Sequence, residues 1–383
     1  MPLNLKSSQA KVMPATNIFL VKEATQNDQG ISRLIQGLAK EQCYFYQSHE
    51  NGEMKNTLGL IGRDDVVLIK VNCQWDQRGG PNTDLLKSFI RAVIAHPDGF
   101  EGEIVIADNG QAQYGSAGKG GSFTWEFANA RDRSQSVQKV VDSFKDYRVS
   151  TFLWDTITET QVKEFYEGDL YDGYVVDMHP KAASGFLVSY PKFTTRFGTR
   201  ISFKDGIWDS RKTAYDSARL KVINWPTLKS HFIYGVTGCV KSYMGVVTDK
   251  LTAKLGARSH DKVWQGVMGD AIAETRVPVL NILDAVWVNA RPGGGPWTPY
   301  ESAICADLLM AGTDPVALDY WAAKHVLMPL ASEAGYADLS TINPDHSEEK
   351  RFGHWLRLAS TRMGAGGFTT TFDERQMNVI AVD

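Results

Sequence analysis

Lysine and histidine side chains recur at the ends of strand-like segments in this chain of 383 residues. The segment VVLIKVN places Lys70 and Asn72 two residues apart, so on an extended strand both side chains lie on one face. The segment KVINWPTLKSH likewise places Lys229 and His231 two residues apart, and Lys241 follows ten residues after His231. Ammonium groups hold anions, and an imidazole among them can transfer protons. We therefore predict a site for a small carboxylate or phosphate, with His231 and Lys241 as catalytic residues and Lys70, Asn72 and Lys229 as substrate-binding residues.

Two aspartates accompany these cations at strand-like positions. Asp108 ends the run in IVIADNG, and Asp284 lies within VLNILDAVWVN. Carboxylates can bind a divalent metal, and they can also orient a histidine. For each aspartate alone, capping a turn or accepting from neighbouring backbone amides is the common structural alternative. We expect the pair to supply either a metal site or an orienting group for His231.

Two glycine-rich loops are candidates for contact with an anion. In RPGGGPW, Gly294 and Gly295 would let the backbone approach a substrate closely, although a tight turn needs glycine for the same reason. The loop GSAGKGGS carries Lys119 but fails the phosphate-loop pattern at its first glycine and at its Ser/Thr position. We interpret the second loop as a surface loop and keep Gly294 and Gly295 as substrate-binding candidates.

A helix with a clear start follows in GTDPVALDYWAAKHVL. Proline stands at the first helical position, and Asp314 just before it suits an N-cap. Asp319 lies in the next turn, where an acid also suits the helix dipole.

Apolar runs alternate with helical patterns along most of the chain, and these elements must position the polar residues. Buried-type strands are predicted over 66–71, 103–107, 220–224 and 279–286, and helices over 30–38, 83–95, 136–147 and 315–327. The stretch 151–203 is richer in aromatic and β-favouring residues, with strand candidates over 169–176 and 185–190. The pattern predicts an α/β fold with a mostly parallel sheet, helices on both faces and a β-rich insertion. Parallel strands end at one edge, so we expect Lys70 and His231 to share a cleft there.

The predicted organisation has three parts. Residues 1–150 form an N-terminal α/β lobe, 151–215 a β-rich insertion or lid, and 216–383 a C-terminal α/β lobe. A single domain containing all three is the alternative.

Composition limits the classes of partner. The 41 basic and 44 acidic residues nearly balance, so we expect neither nucleic acid nor a membrane surface as a partner. The four cysteines are widely separated and lack metal-ligand spacing, so an iron–sulfur cluster is not expected. The first twenty residues lack the apolar stretch of a signal peptide, which favours a cytoplasmic protein, with an exported mature chain as the alternative.

The quoted motifs resemble those of the domain of unknown function 362 family from about 66 to 327. VVLIKVN is similar to the family's "IKxN" opening, and MAGTDPVALDYWAA to its "AGxDPVAxD" block. VINWPTLKSH with TGCVKSYMGVV resembles the "PKxKxH…GxxKNxxG" block, which aligns Lys229, His231, Lys241 and Gly245. Departures from the family pattern stand at Thr227, Ser242 and Ala285. The ferredoxin-type cysteine motifs of some members are missing, so the resemblance implies a family without implying an iron–sulfur role.

Two functional hypotheses remain open. The first is an enzyme acting on a small anionic molecule by acid/base chemistry, with or without a divalent metal. Serine-hydrolase, zinc-protease and dinucleotide-binding signatures are missing from the sequence. The second hypothesis is a non-catalytic protein that binds a cofactor or metabolite in the same basic cleft. The sequence does not indicate an oligomeric state.

Overall fold

A computed structural model describes residues 16–48, 58–111 and 120–382. Within these ranges the strands are β1 (Thr16–Lys22), β2 (Val66–Val71), β3 (Glu103–Asp108), β4 (Val149–Leu153), β5 (Gly173–Val176), β6 (Ser189–Thr194), β7 (Arg200–Ser202), β8 (Gly206–Asp209), β9 (Ala214–Asp216), β10 (Leu220–Trp225), β11 (Thr227–His231), β12 (Gly235–Thr237), β13 (Leu280–Asn289), β14 (Ile304–Gly312) and β15 (Met377–Val382).

The helices in the same ranges are α1 (Gly30–Lys40), α2 (Thr83–Ile94), α3 (Val137–Asp142), α4 (Asp249–Lys254), α5 (Val267–Glu274), α6 (Pro315–Ala322), α7 (Met328–Glu333) and α8 (Phe352–Ala365). A π-helical turn, Ala323–Leu327, joins α6 to α7. Across the described ranges, every helix is too short or too polar to cross a lipid bilayer.

Ten strands form one mixed sheet in the order β15-β1-β14-β13-β10-β2-β3-β4, with β11 and β12 attached beside β13. In that order β14 alone runs antiparallel to its neighbours, and β12 runs antiparallel to β11. The mostly parallel α/β fold predicted from the sequence is confirmed. Strands before residue 154 and after residue 219 share this sheet, and the proposed division into lobes stays a prediction.

Alternate residues of β2 enter different hydrophobic cores, one on each face of the sheet. Val67, Ile69 and Val71 pack with α1, α2 and α3. Val66 and Leu68 pack in the core that contains residues of α5, α6 and α8. Successive side chains of a strand point to opposite faces, so Lys70 is directed to this second face.

The β-rich region forms a separate five-stranded antiparallel sheet, β5 to β9, as the sequence predicted in outline. The predicted strand bounds within it were wrong. Residues near 185 form a tight turn in which the Lys181 amide donates to the Phe186 carbonyl, so β6 begins only at Ser189. Asp169 accepts from the amide of Tyr171, and this local turn delays β5 until Gly173.

Two further element bounds differ from prediction. The helix expected over 136–147 ends at Asp142, because the following residues form tighter turns through i to i−3 hydrogen bonds. The strand expected to run through Pro226 divides there into β10 and β11. Proline has no N–H for the ladder, and after it the chain leaves β2 and continues beside β13.

Candidate functional site

Lys70 forms a buried ion pair at the carboxyl ends of β2 and β3. Its Nζ lies 3.2 Å from Oδ1 of Asp108, and its side chain is 0 % exposed. The same ammonium donates to the carbonyl and the hydroxyl of Ser242, the latter at 2.8 Å. Burial lowers the pKa of Lys70, and the Asp108 carboxylate opposes that shift. Lys70 is thus a paired and hydrogen-bonded cation that links the sheet edge to the segment after β12.

Gly245 explains how this ion pair fits beneath that segment. A Cβ atom at this position would overlap both Oδ1 of Asp108 and Nζ of Lys70. The Gly245 carbonyl also accepts from the amide of Asn109, at 3.1 Å. The backbone therefore approaches the ion pair as closely as only glycine permits.

The two aspartates expected to bind a metal accept hydrogen bonds from backbone amides. Oδ2 of Asp108 accepts from the amides of Cys73 and Gly110, at 3.0 and 3.2 Å. Asp284 accepts from the amide of Asn82 at 2.6 Å and from that of Val286 at 3.1 Å. Burial raises the pKa of Asp284 to about 6, while these amides oppose the shift. In the described part of the chain, no group of three His, Cys, Asp or Glu residues could hold a metal ion. A metal at Asp108 and Asp284 stays a prediction.

Lys229 extends from β11 into the same region. Its Nζ donates to the Gly79 carbonyl at 2.5 Å. Burial lowers the pKa of Lys229 to about 7, with Asp108 and Asp284 opposing the shift and Lys70 adding to it. Thr227, two residues before Lys229 on β11, pairs with Asp284 of β13, so Lys229 lies at the same edge of the sheet as this aspartate.

Lys241 begins a 3₁₀ turn, Lys241–Gly245, between β12 and α4. Its side chain is buried, and its Nζ lies 5.3 Å from the ring centroid of Tyr234. No residue of the described ranges accepts a hydrogen bond from this amine or forms an ion pair with it. Burial, Lys229 and Lys70 together lower the pKa of Lys241 to about 7, while Asp249 opposes the shift. Lys241 is therefore a buried amine without a protein acceptor in this part of the structure.

Asp319 of α6 fixes the segment that carries Lys241, a role that the sequence did not reveal. Its two carboxylate oxygens accept from the amides of Cys239, at 2.5 Å, and Val240, at 2.9 Å. Burial raises the pKa of Asp319 to about 7, and the two amides oppose that shift. The predicted N-cap at Asp314 is confirmed, since its side chain accepts from Val316 N and Ala317 N. Helix α6 thus begins at a cap and then presents a carboxylate that holds the Lys241 segment.

His231 is oriented by the backbone and not by the aspartates that we expected. Its Nδ1 accepts from the amides of Ile233 and Tyr234, at 3.1 and 3.3 Å. This arrangement requires a lone pair on Nδ1, so the neutral ring carries its proton on Nε2. Burial, Lys241, His260 and Lys229 hold the pKa of His231 well below its usual range. The residue is a neutral imidazole whose Nε2–H can donate.

A second histidine lies nearby that the sequence analysis missed. Nδ1 of His260 is 3.0 Å from Oδ2 of Asp249, which begins α4. Both residues line a small recess together with Asn109 and Met244. Burial lowers the pKa of His260, and the charge of Lys241 also lowers it. Neither residue ends a strand of the parallel sheet, so the strand-end rule had no means of finding them.

The remaining predicted residues make contacts with the protein backbone, and their contact with a substrate stays a prediction. Oδ1 of Asn72 accepts from Thr227 N at 3.2 Å and so holds the chain where β11 begins. Gly294 and Gly295 line a groove of about 420 Å³ whose described lining includes none of the three lysines. Gly295 packs against the backbone of Ser230, because a Cβ there would overlap the Ser230 carbonyl. Lys119 lies outside the described residues.

Together the fold and this site define an α/β protein with a buried lysine-rich site at strand ends. Residues 209–324 match the family described as "Domain of unknown function (DUF362)". The match includes Lys229, His231, Lys241 and Asp284, and it confirms the family resemblance that the motifs predicted. Searches among curated proteins and among solved structures both find no match.

Proposed function

We propose that Lys70, Lys229, Lys241 and His231 form the site of an enzyme that acts on a small anionic substrate, a carboxylate or a phosphate. The observation that supports this most strongly is the charge balance of the buried lysines. Among the described residues, the pair between Lys70 and Asp108 is the one ion pair within 4.0 Å that any of the three lysines makes. A buried cation without a counter-ion is costly, and a bound anion would supply one.

The geometry suggests a division of roles within the site. Lys70 pairs with Asp108 and donates to Ser242, so its role is to supply positive charge and to hold the site in position. Lys229 keeps donors beyond the one used by Gly79, and Lys241 keeps all of its donors for a substrate. The Nε2–H of His231 is suited to polarise a substrate oxygen, as a neutral imidazole does when its pKa is too low for protonation.

Thermal unfolding in different anions tests the binding half of this proposal. Phosphate, sulfate or malonate should raise the melting temperature more than sodium chloride of equal ionic strength, because a ligand that binds only the folded state stabilises it. At one hundred times the dissociation constant the gain is about 2.7 kcal/mol. The double variant Lys229→Ala/His231→Ala should remain folded and lose this increment.

Lys254→Ala is the matched control, since Lys254 is an exposed lysine at the end of α4. It should keep the full response to the anions. A double variant that responds as strongly as wild type would contradict the assignment of the site.

A non-catalytic binding protein would pass the same melting test. Mass spectrometry of molecules that co-purify, followed by incubation of each with the protein, separates the two. Conversion of a co-purified carboxylate or phosphate by wild type, and not by Lys241→Met, is the result expected of an enzyme. Tight binding without conversion would favour the carrier.

A further inference from the structure

Lys241 differs chemically from the two lysines beside it. The ammonium groups of Lys70 and Lys229 donate to protein oxygens, and Lys70 also pairs with a carboxylate. In the described ranges, the Lys241 amine contacts an aromatic ring, that of Tyr234, and no acceptor. The ring gives a protonated lysine a modest cation–π contact. Burying an ammonium without an acceptor costs more than this contact contributes, so these surroundings favour the neutral amine.

The surroundings of Lys241 are those of a nucleophilic amine. Lys241 is 2 % exposed, and Lys229 and Lys70 disfavour a third ammonium. The Asp249 carboxylate opposes that shift. Desolvation combined with an adjacent cation is an established way to keep a catalytic lysine unprotonated near neutral pH. The lowered pKa of Lys241, about 7, agrees with this geometry. Ordinary surface lysines are almost entirely protonated at that pH.

We propose that Lys241 forms a Schiff base with the carbonyl carbon of a small oxo acid, whose carboxylate is held by Lys229. This inference rests on the proposed function and narrows its substrate class. Lys229 lies opposite Thr237 in the pairing of β11 with β12, and the turn that begins at Lys241 follows four residues after Thr237. A carboxylate beside the reacting carbonyl would therefore contact the Lys229 ammonium while the carbonyl faces the amine. The Nε2–H of His231 donates to the carbonyl oxygen.

The covalent step is a condensation without oxidation or reduction. The Nζ lone pair attacks the carbonyl carbon, and the C=O π electrons move to oxygen to give a carbinolamine. The C–O bond then breaks, its oxygen leaves as water, and the nitrogen lone pair forms the C=N bond. Neutral amine, ketone and one proton from solvent thus give a protonated imine and one water.

Reductive trapping tests this inference directly. Purified protein is incubated with sodium pyruvate or glyoxylate and sodium cyanoborohydride, digested and mapped by mass spectrometry. We expect one carboxyalkyl group per chain, on Lys241. Its rate should rise between pH 6 and 8 and then level, because the amine is largely neutral above a pKa of about 7. Lys241→Arg keeps a cation that cannot form this imine, and it should abolish the site-specific product.

The control variant Lys254→Arg should be trapped at Lys241 like wild type. Label spread over exposed lysines and unchanged in Lys241→Arg would overturn the inference. The melting test separates the two proposals. If phosphate stabilises the protein and neither oxo acid is trapped at Lys241, the Schiff base is wrong and the anion site stands. If phosphate gives no stabilisation beyond chloride, the anion site itself is wrong.

Discussion

The five-stranded sheet and the carboxyl edge of the ten-stranded sheet both bury lysines, but the buried ammonium groups have different partners in the two places. Lys192 of β6 is 0 % exposed, and its Nζ donates to the Asp169 carbonyl at 2.7 Å. The same ammonium lies 3.7 Å from Oδ1 of Asp169 and 4.1 Å from the ring centroid of Phe165. Lys241 is buried to a similar extent and has the ring contact alone among described residues. Burial by itself therefore does not mark a functional lysine, and the lack of a counter-ion is the more informative feature.

The largest effect that we expect from this comparison is the loss of stability in Lys192→Ala. Removal of the ammonium takes its donor from the Asp169 carbonyl, breaks the ion pair with the Asp169 carboxylate and opens a cavity beside Phe165. We predict a loss of about 3 kcal/mol in the free energy of unfolding, measured by urea denaturation. A loss below about 0.5 kcal/mol, as for a surface substitution, would show that the contacts of Lys192 do not stabilise the folded protein.

Lys241→Met should change the free energy of unfolding in the opposite direction, and by a smaller amount. Methionine fills a similar volume without a charge, so at pH 6 we predict a gain of about 1–2 kcal/mol in the free energy of unfolding. The folded-state pKa of Lys241 lies below its ordinary value of 10.5, so between pH 7 and 10.5 the unfolded chain binds more protons. Wild type therefore gains stability as pH rises through that window, and the advantage of the variant shrinks.

Urea denaturation of both proteins at pH 6 and pH 9 measures this difference. A destabilisation as large as that of Lys192→Ala at both pH values would mean that Lys241 is a structural lysine. The contrast between the two regions would then disappear.

The sequence predicted those parts of the site that follow from strand periodicity and strand direction. Lys70, Lys229 and Asp108 come from segments with clear apolar runs, and parallel strands deliver their ends to one edge. The family resemblance aligned Gly245 but did not explain why glycine is needed there. The structure explains it, because the backbone at Gly245 crosses the Lys70 ion pair too closely for a side chain.

The parts that the sequence did not predict depend on contacts between distant segments. Asp319 binds amides some 80 residues earlier in the chain, and no local pattern encodes that pairing. We expected an aspartate to orient His231, but Nδ1 accepts hydrogen bonds from the amides of Ile233 and Tyr234, which follow it closely in the chain. Gly295 packs closely against the Ser230 carbonyl, a contact that the sequence did not indicate, and its contact with a substrate stays a prediction. Local turn chemistry and tertiary contact decided each of these outcomes.

We infer that Lys241 is a buried amine with no counter-ion within 4.0 Å among the described residues, and that an anionic ligand supplies one. Nuclear magnetic resonance of protein labelled with carbon-13 and nitrogen-15 lysine follows its ionisation directly, with Lys241→Arg assigning the signal. We predict a Lys241 pKa near 7 in chloride, and a rise on addition of phosphate, because a bound anion favours the ammonium form. A Lys241 pKa near the ordinary value of 10.5 that phosphate does not move would contradict the account.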